Sequence, residues 1–180
     1  MITNDNQALG LIFSRRSIRT FSAEGVTAAQ VKSLLEAGMA APSARDRRPW
    51  EFVVVTDEAV REQLAQTHQF SGVARRSPLV IVVCGHPEVA PHWVQDCSAA
   101  AENILLAAVS LGLGAVWVCI HPALEREKHV REAIGLPIGV RPLCLIPVGH
   151  PAEEKPPRTR FEEAHVHYER FGQLEAPGAD

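Results

Sequence analysis

Apolar residues recur along this chain at two spacings, one helical and one typical of strands. A return every three or four positions predicts helices at 7–13, at 93–111 and from an N-cap at Thr27 onward. Pro122 and Gly135 mark the first turn and the end of a further helix, because proline favours the first helical turn and glycine the position after the last one. Helices are therefore expected in both halves of the chain.

Continuous runs of Val, Ile and Leu separate these helices. They predict strands at 51–56, 79–84, 115–120 and 141–149. The runs at 51–56 and 79–84 indicate central strands that are buried on both faces. Helices and strands in alternation are typical of an α/β or α+β layer fold.

The length of 180 residues fits one domain with its own hydrophobic core. We therefore interpret residues 1–180 as a single domain, in which the proline-rich and charged residues 151–180 form a C-terminal arm. A hydrophobic fraction of 46% and a charged fraction of 22% are ordinary for a soluble globular protein.

The charge balance gives no overall attraction to polyanions. The sequence has 18 Lys and Arg against 21 Asp and Glu, which gives a net charge of -3. We therefore expect neither nucleic acid nor an anionic membrane surface as a partner. Any anion site must be local, and positive charge does cluster at 15–19, 45–48 and 155–160.

No apolar stretch approaches the roughly 20 residues that cross a bilayer, and the N-terminal residues lack the pattern of a secretory signal. A cytoplasmic location is expected. The cysteines lie scattered in apolar runs, which predicts buried, reduced thiols at Cys84, Cys97, Cys119 and Cys144. The spacing of His165 and His167 is the only histidine spacing suited to a metal, and without a supporting carboxylate and cysteine set we expect none.

Residues 15–19, Arg-Arg-Ser-Ile-Arg, place three guanidiniums and a hydroxyl close together at a predicted helix end. Planar guanidinium forks suit bidentate, charge-assisted bonds to a phosphate, and a hydroxyl adds one more donor. Taken alone, the run could equally be a solvated basic loop.

Two further segments could form a ligand site. The segment 41–50 has two prolines and a tryptophan, which fix the shape of a loop and suit a wall against a flat ligand, although an ordinary connection is the alternative. Gly112 and Gly114 allow close backbone approach just before Trp117. This turn closes a helix and opens a strand, which is the reverse of the dinucleotide-binding fingerprint.

These segments, in this order, resemble the FMN-dependent nitroreductase family, in particular its short members. The resemblance runs from about Leu9 to Phe171 and rests on Arg-Arg-Ser-x-Arg, on Ala-Pro-Ser followed by Pro-Trp, on Gly-Leu-Gly-x-x-Trp and on a basic pair in the tail. It implies an α+β fold with a central mixed β-sheet flanked by helices. It also implies an intertwined homodimer with tightly bound FMN at the interface, and an extended C-terminal tail that packs on the partner subunit.

The resemblance also implies a role for individual residues. Arg15 and Ser17, with Arg16 beside them, would hold the FMN phosphate, and Arg19 would reach the N1/O2 edge of the flavin ring. The family's second phosphate ligands correspond to Arg158 and Arg160, with Lys155 as a possible substitute. The ring would be lined by the other subunit's loop and by backbone near N5, which correspond to Pro42, Ser43, Ala44 and Asp46 and to Trp117, Val118 and Cys119.

The loop departs from the family pattern at two positions. Asp46 stands where the family has Asn, and Arg48 where it has Gln. An amide can donate a hydrogen bond to a flavin carbonyl and an ionised carboxylate cannot. We therefore expect Asp46 to pair with Arg45, Arg47 or Arg48, at the expense of its contact with the flavin.

The family resemblance implies an oxidoreductase that passes hydride from NAD(P)H through FMN to a small oxidised acceptor by a ping-pong mechanism. Nitroaromatics, quinones and enones are candidate acceptors. Because the flavin carries the chemistry, no side-chain acid or base is required. The alternatives are a specialised flavin-fragmenting or dehalogenating enzyme of the same superfamily and a non-catalytic, regulatory FMN-binding protein.

Overall fold

The computed structural model describes residues 7–174; residues 1–6 and 175–180 of the predicted domain lie outside this range. The helices are α1 (Gln7–Ser14), α2 (Ala28–Met39), α3 (Glu58–Ala65), α4 (Val73–Arg76), α5 (Trp93–Ser110) and α6 (Leu124–Ile134). The strands are β1 (Trp50–Val55), β2 (Leu79–Gly85), β3 (Gly114–Ala115), β4 (Val118–Cys119) and β5 (Arg141–Gly149). Short 3-10 turns lie at Ala44–Asp46 and Glu163–His165.

Local sequence accounts for several helix boundaries. Thr27 Oγ1 accepts a hydrogen bond from the Gln30 amide at 3.2 Å, and Gln30 Oε1 accepts one from the Thr27 amide at 2.9 Å, so the predicted N-cap of α2 is a capping box. Gly135 ends α6 in the left-handed conformation, with φ of 66°. The prediction that Pro122 occupies the first turn of α6 was wrong, because the residue that follows it, Ala123, is still extended and serves as the N-cap.

The sheet has the order β1-β2-β5-β3, and β4 also pairs with β5. Every pairing between these strands is antiparallel. The fold is therefore α+β with helices flanking the sheet, as expected, although the sheet is antiparallel rather than mixed. The one parallel contact among the described residues is an isolated bridge between Ser17 and Ala115.

Strands β1 and β2 have similar apolar sequences and different surroundings. Strand β2 pairs on both sides and is buried at every position, as predicted. Strand β1 pairs only with β2 within the described residues, and its Glu51 and Val54 are exposed. The prediction of a central β1 was wrong, because the place of a strand in a sheet depends on its neighbours as well as on its own composition.

The predicted strand 115–120 is interrupted between β3 and β4. Both short strands pair with β5, and the Val116 amide between them donates to the Pro147 carbonyl at 3.3 Å. Pro147 has no N–H, so it cannot donate the second hydrogen bond of this pair back to the Val116 carbonyl. The regular pairing with β5 is therefore interrupted at this point. Trp117 lies in this gap and belongs to neither strand.

Each face of the sheet is covered by helices. Helices α2 and α5 pack on one face around residues such as Leu34 and Ile104, and α3, α4 and α6 cover the other face. Helix α2 can approach α5 closely because a Cβ at Gly38 would lie only 3.0 Å from the Ile104 side chain. Helix α5 is therefore held firmly between α2 and the sheet.

The cysteines are all free thiols. Cys84, Cys97 and Cys144 are buried as predicted, and burial raises the pKa of both Cys84 and Cys97 to about 12. The expectation of burial was wrong for Cys119, which is exposed because it ends the two-residue strand β4. None of the helices described in residues 7–174 is both long and apolar enough to cross a membrane.

Candidate functional site

The basic residues 15–19 follow α1 and run along strand β3. The Ile18 amide donates to the Ala115 carbonyl at 3.0 Å, beside the parallel bridge at Ser17. Gly114 makes this approach possible, because a Cβ there would lie 2.6 Å from Ile18 Cγ2. The structure thus brings together two of the three predicted segments, the basic run and the glycine turn.

The C-terminal tail returns to the same place. The Ala152 amide donates to the Thr20 carbonyl at 2.9 Å, and the Arg158 amide donates to the Phe13 carbonyl at 3.1 Å. Residues 150–158 therefore lie along the N-terminal segment of their own chain. The contact that we expect between the rest of the tail and a partner subunit remains a prediction.

Four guanidiniums meet where the two chain ends come together. Arg15, Arg158 and Arg160 line a cavity of about 460 Å³, which also has an apolar side that includes Phe13. Desolvation, followed by the nearby charges of Arg16, Arg160 and Arg15, lowers the pKa of Arg158. We refer to Arg15, Arg16, Arg158 and Arg160 as the arginine cluster.

The arginine cluster has little negative charge to balance it. Arg15 Nε lies 3.4 Å from Glu102 Oε1, whose pKa is raised because desolvation outweighs the attraction of Arg15. In the described part of the chain, none of the other three arginines has a carboxylate partner. Arg16 donates to the Pro156 carbonyl through one terminal nitrogen, and its buried Nε has no partner within residues 7–174. Such a donor set fits an anion with several acceptor oxygens, such as a phosphate.

Lys155 has a different position from the arginines. Its Nζ donates to the Ser17 carbonyl at 2.6 Å and to Glu153 Oε1 at 3.1 Å. Glu153 Oε1 also accepts from the amides of Arg19 and Thr20, at 2.6 Å and 3.2 Å. These bonds, the one from the Arg19 amide foremost, lower the pKa of Glu153. Lys155 and Glu153 therefore fasten the tail to the basic run, and Lys155 does not line the cavity.

The predicted ring-lining loop, residues 42–48, is strained. Arg45, Asp46 and Arg48 all have left-handed φ values, of 56°, 54° and 46°. Asp46 and Arg48 form a bidentate ion pair, with 2.7 Å between Arg48 Nε and Asp46 Oδ1, and this bond lowers the pKa of Asp46. The expected pairing of Asp46 with a neighbouring arginine is thus present, with Arg48. Ser43 Oγ accepts from the Arg48 amide at 3.0 Å, and Pro42 is exposed.

The other predicted ring-lining segment lies across the break between β3 and β4. Trp117 is half-buried against the core, Val118 is buried, and Cys119 faces solvent. Val118 and Cys119 are held by their pairing with Leu145 and Cys144 of β5. This segment directly follows the glycine turn, so β3 connects it to the basic run.

The loop 42–48 stays apart from the arginine cluster. No hydrogen bond or ion pair between described residues joins the two; the loop is bonded instead to the first turn of α5, where Asp96 Oδ1 accepts from the Ala44 amide at 3.0 Å. The expectation that this loop serves the site of the other subunit is consistent with the separation and remains a prediction. Within residues 7–174, His165 and His167 belong to no group of three or more side chains that could hold a metal.

Sequence reasoning did not identify three carboxylates that organise these segments, Asp96, Glu102 and Glu153. Glu153 is one of two adjacent acidic residues just before the basic residues 155–160, which is a weak signal. Asp96 is a polar residue on the apolar face of α5, which is a stronger one. Each of the three has a partner far away in the sequence, at Ala44, Arg15 and Arg19, so no local pattern identifies their roles.

The fold and the site define an α+β protein with an antiparallel sheet and an arginine cluster where residues 13–20 meet residues 152–160. Comparison with known families makes the assignment more specific. The chain belongs to the nitroreductase family, whose model matches residues 12–69 and 69–150.

Individual relatives cover nearly the whole chain. A Methanothermobacter thermautotrophicus protein, provisionally described as an NADH dehydrogenase/NAD(P)H nitroreductase, is 39% identical over 91% of this chain and 87% of its own. A crystal structure of a similarly described protein from Bacteroides thetaiotaomicron superposes with a TM-score of 0.91 at 43% identity, covering 93% of this chain and 100% of that one. An FMN-dependent nitroreductase from Clostridium difficile superposes with a TM-score of 0.87 at 30% identity, covering 91% and 99%.

Proposed function

We propose that this protein is an FMN-dependent oxidoreductase that transfers hydride from NAD(P)H to a small oxidised acceptor. The observation that carries the proposal is the arginine cluster, in which three guanidiniums from both ends of the chain have no carboxylate partner among the described residues. The names of the relatives, which include an FMN-dependent nitroreductase and an NAD(P)H nitroreductase, support this assignment.

The donor set fits the phosphate of FMN. Arg15, Arg158 and Arg160 would bind its oxygens from the walls of the cavity that they line. Two further donors would complete the set, the buried Nε of Arg16 and the hydroxyl of Ser17. Neither group makes a hydrogen bond within the described residues. FMN, when bound, supplies the hydride acceptor and donor at its N5 atom.

The remaining predicted residues would orient the flavin ring. Arg19 would place its guanidinium at the N1/O2 edge, where positive charge favours the reduced, anionic ring. Its backbone is fixed for this role because Glu153 holds the Arg19 amide. Trp117, Val118 and Cys119 would supply backbone near N5, and Pro42, Ser43, Ala44 and Asp46 would come from the second subunit of a homodimer.

The reaction that follows is a ping-pong exchange. NAD(P)H would occupy the face of the ring, leave after giving up hydride, and be replaced by a nitroaromatic, a quinone or an enone. The protein would bind and orient both partners, and the acceptor, once it has received hydride, would take its proton from solvent, so none of the protein's side chains need act as an acid or base.

One observation favours a second candidate, a regulatory FMN-binding protein with little turnover. Asp46 and Arg48 satisfy each other in a bidentate pair, so neither offers the ring the amide donor that the family pattern provides. Such a protein would bind the FMN phosphate at the same site and would not catalyse hydride transfer.

Absorption and turnover of the purified protein test both candidates. A bound flavin absorbs at about 450 nm, and the oxidoreductase is expected to oxidise NAD(P)H when menadione or nitrofurazone is added. A yellow protein without turnover would favour the regulatory alternative. A colourless protein that takes up no added FMN would refute both, and a stable monomer in sedimentation would refute the interface site.

A further inference from the structure

Asp96, in the first turn of α5, is buried in an unusual way for a carboxylate. The residue is only 6% exposed. Its Oδ1 accepts a hydrogen bond from the Ala44 amide at 3.0 Å, and its buried Oδ2 has no partner among the described residues. A buried polar atom without a partner costs free energy, so its presence requires an explanation.

Capping of α5 does not explain this carboxylate. The N-cap of α5 is His92, and Asp96 accepts no hydrogen bond from an amide of its own helix. The partial positive charge at the helix N-terminus makes a negative group tolerable there. It does not account for a side chain that bonds instead to a loop 52 positions earlier in the sequence.

The loop at the other end of this bond needs a restraint. Left-handed backbone is uncommon for residues other than glycine, and three such residues in four positions persist only if their surroundings hold them. Two other side-chain hydrogen bonds of the loop, from the Arg48 amide to Ser43 Oγ and from Arg47 to the Val89 carbonyl at 2.7 Å, are exposed to solvent. The bonds between Arg48 and Asp46 and the backbone bonds to Ser43 and Ala44 stay within the loop itself. Among the described residues that bond to the loop from outside it, Asp96 is the one with a buried side chain as the acceptor.

We propose that Asp96 is a positioning residue that fixes residues 43–48, in which Arg45, Asp46 and Arg48 are left-handed, so that Pro42, Ser43 and Ala44 present a rigid surface to the flavin ring. The role as a ring-facing surface rests on the proposed function. The mechanical part of the proposal, that a buried carboxylate holds a strained loop, is independent of the proposed function.

Hydrogen exchange on the full-length protein tests the mechanical part. Asp96→Ala removes the acceptor, and we expect the protection of the Ala44 amide to fall by roughly ten- to a hundredfold, as for the loss of a bond to a charged group. Asp57→Ala is the matched control, because Asp57 Oδ1 also accepts a backbone amide, from Val60 at 3.0 Å, at the start of α3. Unchanged protection at Ala44 in Asp96→Ala would overturn the proposal.

Two further variants keep the test decisive if Asp96→Ala does not fold. Asp96→Asn retains one acceptor oxygen and is expected to stay within about threefold of the wild-type protection. Ala44→Pro removes the donor from the loop side, and Ser43, with φ of −139° and ψ of 151°, already has the conformation that precedes proline. The Asp46 and Arg47 amides, which bond to Ser43 and Ala44, should lose protection in this variant. Protection that stays at the wild-type level would count against the proposal.

The flavin-facing part has a separate readout. With FMN added, the visible circular dichroism of the flavin reports its surroundings, and we expect it to change in Asp96→Ala, to be largely retained in Asp96→Asn and to be unchanged in Asp57→Ala. Equal changes in Asp96→Ala and Asp57→Ala would reduce Asp96 to a stabilising residue and overturn its role at the ring. If the wild type binds no FMN, the proposed function fails, and the exchange experiment still decides whether Asp96 holds the loop.

Discussion

The arginine cluster and the loop 42–48 both contain several arginines, and they differ in how far nearby carboxylates neutralise that positive charge. The cluster draws its arginines from both ends of the chain and leaves three of them without a carboxylate among the described residues. The loop is local, and its Arg48 is neutralised by Asp46 two positions away. Uncompensated charge that the fold has gathered indicates a binding site for an anion, whereas a self-paired and strained loop indicates a surface with a fixed shape.

Removal of two cluster arginines should have the largest effect. We expect Arg15→Ala with Arg158→Ala to weaken FMN binding by about a hundredfold or more, because each loses a charge-assisted bond to phosphate. Titration of the apoprotein with FMN measures this. Arg75→Ala is the control, since Arg75 is an exposed arginine with its own carboxylate partner, Glu62. Equal losses in both variants would show that the cluster is not the phosphate site.

Separation of the basic run from β3 should have the next largest effect on FMN binding. Gly114→Ala places a methyl group 2.6 Å from Ile18 Cγ2, and the forced shift should cost about 1–3 kcal/mol of stability and weaken FMN binding as well. Thermal unfolding and FMN titration measure the two effects. Gly10→Ala, where the new Cβ meets nothing within 4 Å, should be neutral or slightly stabilising. A Gly114→Ala protein with wild-type stability would contradict the packing described here.

Acid should loosen the contact between the tail and the basic run. The pKa of Glu153 is lowered by the Arg19 amide first, and a carboxylate of this kind stabilises the fold fully above its unfolded pKa and loses that contribution as pH falls through its folded value. We therefore expect exchange protection of the Ala152 and Arg158 amides to decrease as the pH falls below the ordinary pKa of a glutamate side chain. Glu153→Gln should have weaker protection at neutral pH and little further change on acidification. A pH response identical to that of the wild type would exclude Glu153 as its source.

Replacement of the ion pair in the loop should have the smallest effect on stability. Asp46→Asn with Arg48→Gln restores the residue types of the family pattern, and the lost pair is largely exposed, so the cost should be below about 1 kcal/mol. If the pair suppresses turnover, the variant should oxidise NAD(P)H faster than the wild type with the same acceptor. A large fall in melting temperature would instead mean that the pair, rather than Asp96, holds the loop.

Much of the fold could be predicted because it depends on local pattern. The spacing of apolar residues located α1, α2, α5 and α6, and Thr27 and Gly135 marked two helix ends through their own chemistry. The short helices α3 and α4 were not predicted. Strand β5 was predicted with its correct bounds.

The errors arose where distant residues decide the outcome. Strand β1 resembles β2 in composition and lies at an edge because no other described strand pairs with it. The break between β3 and β4 depends on Pro147, which lies in another strand. In the site, the basic run and the tail were identified by the residues they contain, whereas Asp96 and Glu153 act through partners that only the folded chain brings near.

The junction of the two chain ends has a consequence for synthesis. Arg16 bonds to Pro156, 140 positions later, so the proposed anion site joins segments that are synthesised far apart in time. A ribosome-bound chain that lacks the tail has the basic run and not the rest of the cluster. The proposed site is therefore complete only once Arg158 and Arg160 have been synthesised and have folded back onto the basic run.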